Sequence, residues 1–309
     1  MVNNGPIFIN GFSRGGTTML ANLIASHPGV CYIGETHHAF KGHRHTDSTL
    51  RTVWKAVTRD FPATLRQREQ VFSPRLIEPR REMNAAGLFR LRRVLDAERV
   101  SAQRHAVYSK YKSVGVPYSS AEISTARLLA KNVDGMVFTT DLLAAAYPNA
   151  TFVGLHRDGF ALCEGHLRRN RTAAESAARY RKIADKMERD AASLSRYHFV
   201  RFEDLLADPL RTAERLFEEL GMEIKDASQV RMQRRRVMDS SGNHQTLDGG
   251  DEWSVEWMDW DDLRRYCKPN VNKNQISRLS RDDREAFLNE AGETMLRLGY
   301  QPEPAVQAA

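Results

Sequence analysis

The sequence predicts an α/β fold in which a central, mostly parallel sheet is flanked by helices. Short β-branched and aromatic runs alternate along the chain with longer stretches of helical periodicity, and that order favours parallel strand pairing. The 309 residues, of which 41% are hydrophobic, are enough to bury a sizeable core. Because no internal repeat or low-complexity tract divides the sequence, we expect residues 1–309 to form a single domain.

The first predicted elements are a strand, a glycine-rich loop and a helix. Residues 6–10 form a short β-branched and aromatic run, and the glycine-rich residues 11–16 follow it. Residues 17–26 carry apolar side chains at helical spacing and end shortly before a Pro-Gly pair, which stops a helix. A second strand is predicted over residues 30–33.

The middle of the chain is harder to assign than the two ends. Residues 41–127 are rich in arginine and histidine and are interrupted by prolines, with helices predicted near 49–60 and 83–104. We interpret this segment as a helical insertion, and we expect residues 226–266 to be loop-rich. The remaining predicted strands cover 151–155 and 197–202, and the remaining predicted helices cover 141–147, 159–169, 172–196, 209–220 and 281–298.

The charge of the chain indicates an anionic ligand without identifying it. A formal net charge of +7 gives a surface field that attracts nucleic acid, an anionic membrane or a phosphorylated ligand alike. No apolar run approaches the roughly 18 residues of a membrane helix, and the N-terminal residues lack the features of a secretory signal. We therefore predict a cytoplasmic protein without a membrane partner.

The metal-ligating residue types predict no metal site. Cys31, Cys163 and Cys267 are too few and too scattered for a zinc site or a disulfide framework. The histidine-rich segment 37–45 lacks cysteine partners and the His-Glu-x-x-His pattern of zinc hydrolases. We expect the protein to work without a metal.

Residues 11–18 have the frame of a phosphate-binding loop between a strand and a helix. Gly11 and Gly16 are separated by four residues and precede a pair of threonines. Glycines let backbone N–H groups turn toward a phosphate, and a helix N-terminus adds unpaired donors and a favourable dipole. Thr17 stands where nucleotide triphosphatases have a lysine, and Arg14 supplies a cation instead. The pattern favours a ligand that carries a phosphate but is neither a triphosphate nor bound together with a metal. The alternative is a turn that merely joins the strand to the helix.

Five blocks of sequence resemble sulfotransferases that use 3′-phosphoadenosine-5′-phosphosulfate (PAPS), with motifs most similar to the tyrosylprotein sulfotransferase branch. Their joint order along the chain is more specific than any one block. The resemblance implies a P-loop-NTPase-like sulfotransferase fold and transfer of a sulfuryl group from PAPS to an acceptor hydroxyl. The blocks are residues 11–36, 129–132, 147–159, 200–209, and 266–272 with 296–300.

The resemblance implies a donor site built from the loop and from later segments. Arg14 would stabilise the departing nucleotide, while loop amides and hydroxyls hold the 5′-phosphate. Arg157 and Arg169 correspond to ligands of the 3′-phosphate, but the serine expected between them is Gly165. A backbone amide or a neighbour such as His166 replaces that hydroxyl, or 3′-phosphate binding is weaker. The implied donor-binding residues are Ser13, Arg14, Gly15, Gly16, Thr17, Thr18, Arg157, Gly165, Arg169, Lys268 and Asn270.

The resemblance also implies a general base and a second cation. Glu35 corresponds to the base, and a carboxylate whose pKa is raised by burial suits proton abstraction from a hydroxyl. The competing bases are His37 and His38, because a histidine serves other branches of the family. Lys131 corresponds to a cation beside the transferring group. The candidates for a further serine near the donor are Ser240 and Ser241.

We therefore expect a metal-independent sulfotransferase domain whose acceptor is a peptide tyrosine, a sugar, or a small phenol or alcohol. Segments 41–127 and 226–266 would shape the acceptor pocket. One alternative is a nucleotide-phosphate kinase or hydrolase with a degenerate P-loop, which the missing lysine disfavours. The other is a non-catalytic nucleotide- or RNA-binding protein, which predicts no need for Glu35 and a salt-sensitive affinity for nucleic acid. No nucleic-acid partner is expected, and the sequence does not determine the oligomeric state.

Overall fold

The computed structural model describes residues 5–40, 50, 83–105, 118–233, 237–238, 244–245, 255–268 and 270–301 of the chain. Apart from residue 50, the helix predicted near 49–60 lies outside the described residues. The candidate serines Ser240 and Ser241 lie outside them as well.

A five-stranded parallel sheet forms the centre of the fold. Its strands are β1 Ile7–Gly11, β2 Val30–Glu35, β3 Arg127–Val133, β4 Thr151–His156 and β5 Tyr197–Arg201. They are hydrogen-bonded in the order β2-β3-β1-β4-β5, and every neighbouring pair is parallel. The predicted strands are confirmed, and β3 joins them where the resemblance implied the end of a strand. This order places β1, which leads into the glycine-rich loop, at the middle of the sheet.

Helices flank the sheet, and the α/β fold class predicted from the sequence is confirmed. The long helices predicted near 83–104, 172–196 and 281–298 are present within a few residues of those bounds. Among the described helices, none has the length and apolar character needed to cross a membrane. The helices are α1 Thr17–Ile24, α2 His37–Phe40, α3 Ala85–His105, α4 Ser120–Thr125, α5 Thr140–Ala146, α6 Gly159–Leu167, α7 Ala173–Ser193, α8 Phe202–Ala207, α9 Pro209–Glu219, α10 Trp260–Tyr266, α11 Val271–Ile276 and α12 Arg281–Arg297, with 3-10 turns at Asp134–Thr139 and Ile224–Asp226.

Alternating side chains of β1 divide the core between the two faces of the sheet. Ile7 and Ile9 belong to a cluster that includes residues of α1 and α9, whereas Phe8 belongs to a second cluster with α3 and α5. Successive side chains of a strand point to opposite faces, and all three of these are fully buried. The sheet is therefore covered on both sides, as its apolar strands predict.

The prediction of a loop-rich segment over residues 226–266 is wrong in part. Strand β6, Val230–Gln233, pairs antiparallel with β9, Val255–Met258. Two-residue strands β7, Val237–Met238, and β8, His244–Gln245, form a second ribbon. Strands of two to four residues are too short to show a period of two in the sequence, so their pairing could not be read from it.

Candidate active site

The glycine-rich loop connects the end of β1 to the N-terminus of α1. Arg14 and Gly16 adopt left-handed backbone conformations, with φ of 64° and 89°. The Gly15 N–H donates to the Phe12 carbonyl at 3.0 Å. A Cβ on Gly16 would lie 2.3 Å from ring atoms of Phe202. Neither the backbone conformation of Gly16 nor its surroundings therefore admit a side chain.

The N-terminus of α1 presents amide donors without a side-chain cap. Its N-cap is Gly16, and no acidic residue stands in its first turn. The amides of a first helical turn have no intrahelical acceptor, and the helix dipole favours negative charge there. Thr17 and Thr18 are buried at this position, and Thr18 Oγ1 accepts a hydrogen bond from Lys131 Nζ at 3.0 Å. The arrangement is suited to an anion.

Glu35, His37 and Lys131 form a cluster of ionisable side chains at the carboxyl ends of β2 and β3. The sheet register pairs Glu35 with Lys131, and Lys131 Nζ lies 3.2 Å from Glu35 Oε1. His37 Nδ1 lies 3.2 Å from Glu35 Oε2. The side chain of Lys131 is 6% exposed and that of Glu35 is 38% exposed. The predicted base, one competing base and the second predicted cation therefore lie together, beside the first turn of α1.

The pKa of Glu35 is lowered, whereas the sequence analysis expected it to be raised. Burial does raise it, but the hydrogen bond from His37 and the charge of Lys131 together outweigh burial and bring the pKa to about 2. The expectation is wrong because it took account of burial without these two partners. The carboxylate is therefore ionised at neutral pH and has low basicity while both partners hold it.

Arg157 fixes the loop from the end of β4. Its side chain is 2% exposed, lies 4.5 Å from the ring centroid of Phe202 and donates to the Arg14 carbonyl. Its Nε and Nη2 donate to Asn272 Oδ1 at 3.1 and 2.8 Å, and Nη2 also donates to Gln275. Four of the five N–H donors of the guanidinium thus have protein acceptors. Its role as a ligand of the 3′-phosphate stays a prediction.

Helix α6 contacts the loop where the resemblance expected a serine. A Cβ at Gly165 would lie 3.2 Å from Cβ and Cγ of Arg14. Ser13 Oγ lies 3.0 Å from His166 Nε2, and the Ser13 N–H donates to Asp134 Oδ1 at 2.9 Å. The departure at Gly165 therefore coincides with close packing of Arg14 on α6 and with a hydroxyl–imidazole contact one residue away.

The other predicted donor ligands lie at the periphery of this arrangement. Arg169 follows the end of α6, while Lys268 and Asn270 precede α11, and all three are exposed. It is α11, through Asn272 and Gln275, that contacts the buried guanidinium. Neither residue was predicted from the sequence, since an Asn-Val-Asn run does not reveal which asparagine points inward.

A buried polar network below the loop was also not predicted. Asn132 donates to Asn10 Oδ1 at 2.8 Å and accepts from the Thr36 hydroxyl at 2.5 Å. Asn10 in turn donates to Thr140 at 2.9 Å and to Tyr197 at 3.1 Å. Buried polar groups with satisfied hydrogen bonds fix the relative position of the elements that carry them. The network ties the ends of β1 and β3 to the residue after Glu35. In the sequence, the asparagines within otherwise apolar strands were the feature that could have indicated it.

Comparison with known proteins identifies a protein family and a shared fold. A model of the sulfotransferase family matches residues 6–226, and no curated protein matches the chain. The solved sulfotransferase domain from the curacin biosynthetic pathway is similar with a TM-score of 0.53 and 12% identity, over 96% of this chain and 98% of that one. The sulfotransferase domain from the Synechococcus PCC 7002 olefin synthase has a TM-score of 0.46 and 15% identity, over 93% and 94% of the two chains.

The chain belongs to the sulfotransferase family. The family match covers more than two thirds of its length and includes the loop, Glu35, Lys131 and Arg157. The curacin-pathway domain shares the fold. Among the described residues, no group of three or more His, Cys, Asp or Glu side chains is arranged to hold a metal. Membership of this family assigns sulfuryl transfer as the reaction class of the protein.

Proposed function

We propose that the protein transfers the sulfuryl group of PAPS to an acceptor hydroxyl, with Glu35 as the general base. The observation that carries the proposal is the position of Lys131 between the uncapped start of α1 and Glu35. Its Nζ lies 3.0 Å from Thr18 Oγ1 and 3.2 Å from Glu35 Oε1. Donors for an anion and an acceptor for a proton therefore lie side by side, which is what the transfer requires.

The residues around the loop are suited to the phosphosulfate end of the donor. The first turn of α1 supplies amides and two hydroxyls, carries no acidic residue and has an ammonium group beside it. Arg14, at a left-handed position of the loop, would add a second cation on the leaving phosphate. When bound, PAPS supplies a sulfuryl group that is already activated by its bond to a phosphate.

In the proposed reaction Glu35 accepts the proton of the acceptor hydroxyl while that oxygen forms a bond to sulfur. The bond from sulfur to the bridging oxygen of the donor breaks, and adenosine 3′,5′-bisphosphate leaves. Lys131 and Arg14 offset the negative charge that develops on the sulfuryl and leaving oxygens. No atom changes its oxidation state.

The low pKa of Glu35 is compatible with this role because Lys131 is shared. An anionic group bound beside Thr18 would interact with the same ammonium group of Lys131 and would add negative charge near the carboxylate. Both effects raise the pKa of a carboxyl group, so Glu35 gains basicity when the donor binds. His37 is the competing base, because its Nδ1 faces Glu35 and leaves the other ring nitrogen to accept a proton.

The proposal is tested by following labelled sulfate from PAPS to a panel of tyrosine peptides, sugars, phenols and alcohols. We expect a labelled product and stoichiometric bisphosphate, and a rate about 10²–10³-fold lower in Arg14→Ala. Arg215→Ala, on the exposed side of α9, is the matched control and should leave the rate unchanged. The absence of both labelled product and PAPS-dependent release of bisphosphate across the whole panel would contradict the proposal.

A further inference from the structure

Strand β2 contains one residue more than its pairing with β3 requires. Tyr32 pairs with Leu129 and Glu35 pairs with Lys131, so three steps along β2 match two steps along β3. Two consecutive residues of β2 therefore lie opposite one residue of β3, which is the arrangement of a β-bulge. This bulge lies immediately before the proposed base.

The side chains of β2 alternate regularly up to the bulge. Val30 and Tyr32 belong to the apolar cluster on the α1 side of the sheet. Cys31 and Ile33 belong to the cluster on the α3 side. If this alternation continued without interruption, the side chain of Glu35 would also point to the α3 side.

The side chain of Glu35 instead points to the α1 side. Its partner Lys131 shares a face of β3 with Leu129, which belongs to the α1-side cluster, and Lys131 Nζ donates to Thr18 of α1 at 3.0 Å. Glu35 Oε1 lies 3.2 Å from the same Nζ. The additional residue of the bulge therefore turns the carboxylate toward the glycine-rich loop.

Gly34 gives the bulge its backbone conformation. Its φ is 87°, in the left-handed region that residues with a side chain rarely adopt, whereas a regular parallel strand has a φ of about −120°. It is buried and directly precedes Glu35. The departure from strand geometry thus occurs at the one residue of β2 that has no side chain.

Thr36 fixes the register beyond the bulge. Its N–H donates to the Lys131 carbonyl at 3.2 Å, and its hydroxyl donates to Asn132 Oδ1 at 2.5 Å. Both Thr36 and Asn132 are fully buried. Glu35 and Thr36 therefore contact consecutive residues of β3 through opposite faces of the sheet, and the ladder is regular again after Gly34.

We propose that Gly34 is a positioning residue for sulfuryl transfer, because its left-handed conformation absorbs one residue of β2 and so directs Glu35 to Lys131 and the glycine-rich loop. The inference rests on the proposed function, since it takes Glu35 as the base. Gly34 has no side chain and acts only through the direction of the Glu35 side chain.

Two substitutions of similar size separate the backbone conformation of Gly34 from the space around it. Asparagine tolerates the left-handed region, whereas valine is disfavoured there and favours a regular strand. In Gly34→Val the carboxylate should lose Lys131, and the pKa of Glu35 should rise from about 2 to about 4.3 or above. In Gly34→Asn it should stay low. Carboxyl-carbon NMR of the full chain between pH 8 and pH 4, with Glu35→Gln to assign the signal, measures the pKa.

Deletion of Gly34 is the most specific test, because it adds no side chain. Without this residue, a regular ladder from Tyr32 onwards still places Glu35 opposite Lys131, on the same side of the sheet. We therefore expect the deletion variant to keep the low pKa of Glu35. If Gly34 were merely one position of a regular strand, its deletion would turn the carboxylate to the other face and raise that pKa.

Kinetic measurements test the consequence for the reaction. Gly34→Val should lower kcat with labelled PAPS by about 10²–10⁴-fold, as expected for loss of the proton acceptor, while the calorimetric affinity for the bisphosphate is retained. Adding Gly34→Val to Glu35→Gln should cost nothing further. Gly221→Val is the matched control and should change neither quantity, since Gly221 has a φ of 65° and lies outside the site.

An unchanged pKa of Glu35 in Gly34→Val, or a raised pKa in the deletion variant, would overturn the inference. Equal effects of asparagine and valine would also overturn it, because space rather than backbone conformation would then be responsible. If thermal unfolding shows that Gly34→Val does not fold, the asparagine and deletion variants decide. Failure of the proposed function would appear separately, as a lack of labelled product from the unchanged protein, since the titration needs no substrate.

Discussion

Glu35 is engaged on both carboxylate oxygens, by Lys131 on one and His37 on the other. These partners lower its pKa to about 2 and keep it ionised. We expect kcat/KM for PAPS to show no loss of this carboxylate from about pH 8 to about pH 5, because kcat/KM reports the free enzyme, in which Glu35 stays ionised over that range. Rapid-quench measurement of labelled product against pH checks this.

Substitution separates the two possible bases. Glu35→Gln should lower the rate by about 10²–10⁴-fold while binding of the bisphosphate is retained. An active Glu35→Gln together with an inactive His37→Gln would instead assign the base to His37.

Gly16 and Gly221 share a left-handed backbone, with φ of 89° and 65°, but differ in their surroundings. A Cβ at Gly16 would meet Phe202 at 2.3 Å, whereas at Gly221 it would meet no described atom within 4 Å. We expect Gly221→Ala to lower the free energy of unfolding by about 1–2 kcal/mol through strain alone. Gly16→Ala should cost more and abolish binding of the bisphosphate. Denaturant unfolding and calorimetry measure the two effects, and equal costs with intact binding would contradict the steric explanation.

Helix α11 acts as a unit that holds the buried guanidinium of Arg157, and Asn272 accepts two of its hydrogen bonds. Asn272→Ala leaves those donors unpaired in the interior, so we expect the free energy of unfolding to fall by about 1.5–3 kcal/mol. Affinity for the bisphosphate should fall with it, because Arg157 also holds the loop carbonyl of Arg14. Asn274→Ala, on the same helix, is the control. Equal effects of the two variants in unfolding and calorimetry would show that α11 does not act through Arg157.

The elements that the sequence predicts well are those whose pattern lies within one segment. Strand β1 alternates between the two faces of the sheet, and α1 begins at a glycine, so both are visible locally. Residues that are adjacent in sequence can also have different structural roles. Asp158 stands beside Arg157, yet it caps α6 by accepting the N–H groups of Phe160 and Ala161 at 2.8 and 3.1 Å.

The part of the candidate site that lies within continuous motifs could also be predicted, whereas contacts between distant segments could not. The loop and Glu35 are carried by continuous motifs, and the structure brings them together. Asn272 lies 115 positions from Arg157, and Ser13 lies 153 positions from His166, so no local pattern could indicate either contact. The lowered pKa of Glu35 could not be predicted either, because it depends on the register between β2 and β3.

The architecture of the whole molecule explains why distant residues share one site. The strands are parallel, so their carboxyl ends lie along one edge of the sheet. The loop follows β1, Glu35 ends β2, Lys131 lies toward the end of β3, and Arg157 follows β4. Ligands of open parallel sheets bind at this edge. The net charge of +7 adds a long-range attraction for an anionic nucleotide.

The measurement that tests the central claim most directly is calorimetric titration of the protein with adenosine 3′,5′-bisphosphate, beside ATP with magnesium. The proposed donor site predicts affinity for the bisphosphate in the micromolar range and much weaker binding of ATP, because the loop lacks the triphosphatase lysine. Tight binding of ATP with magnesium, without any response to the bisphosphate, would contradict the assignment of PAPS as the sulfuryl donor.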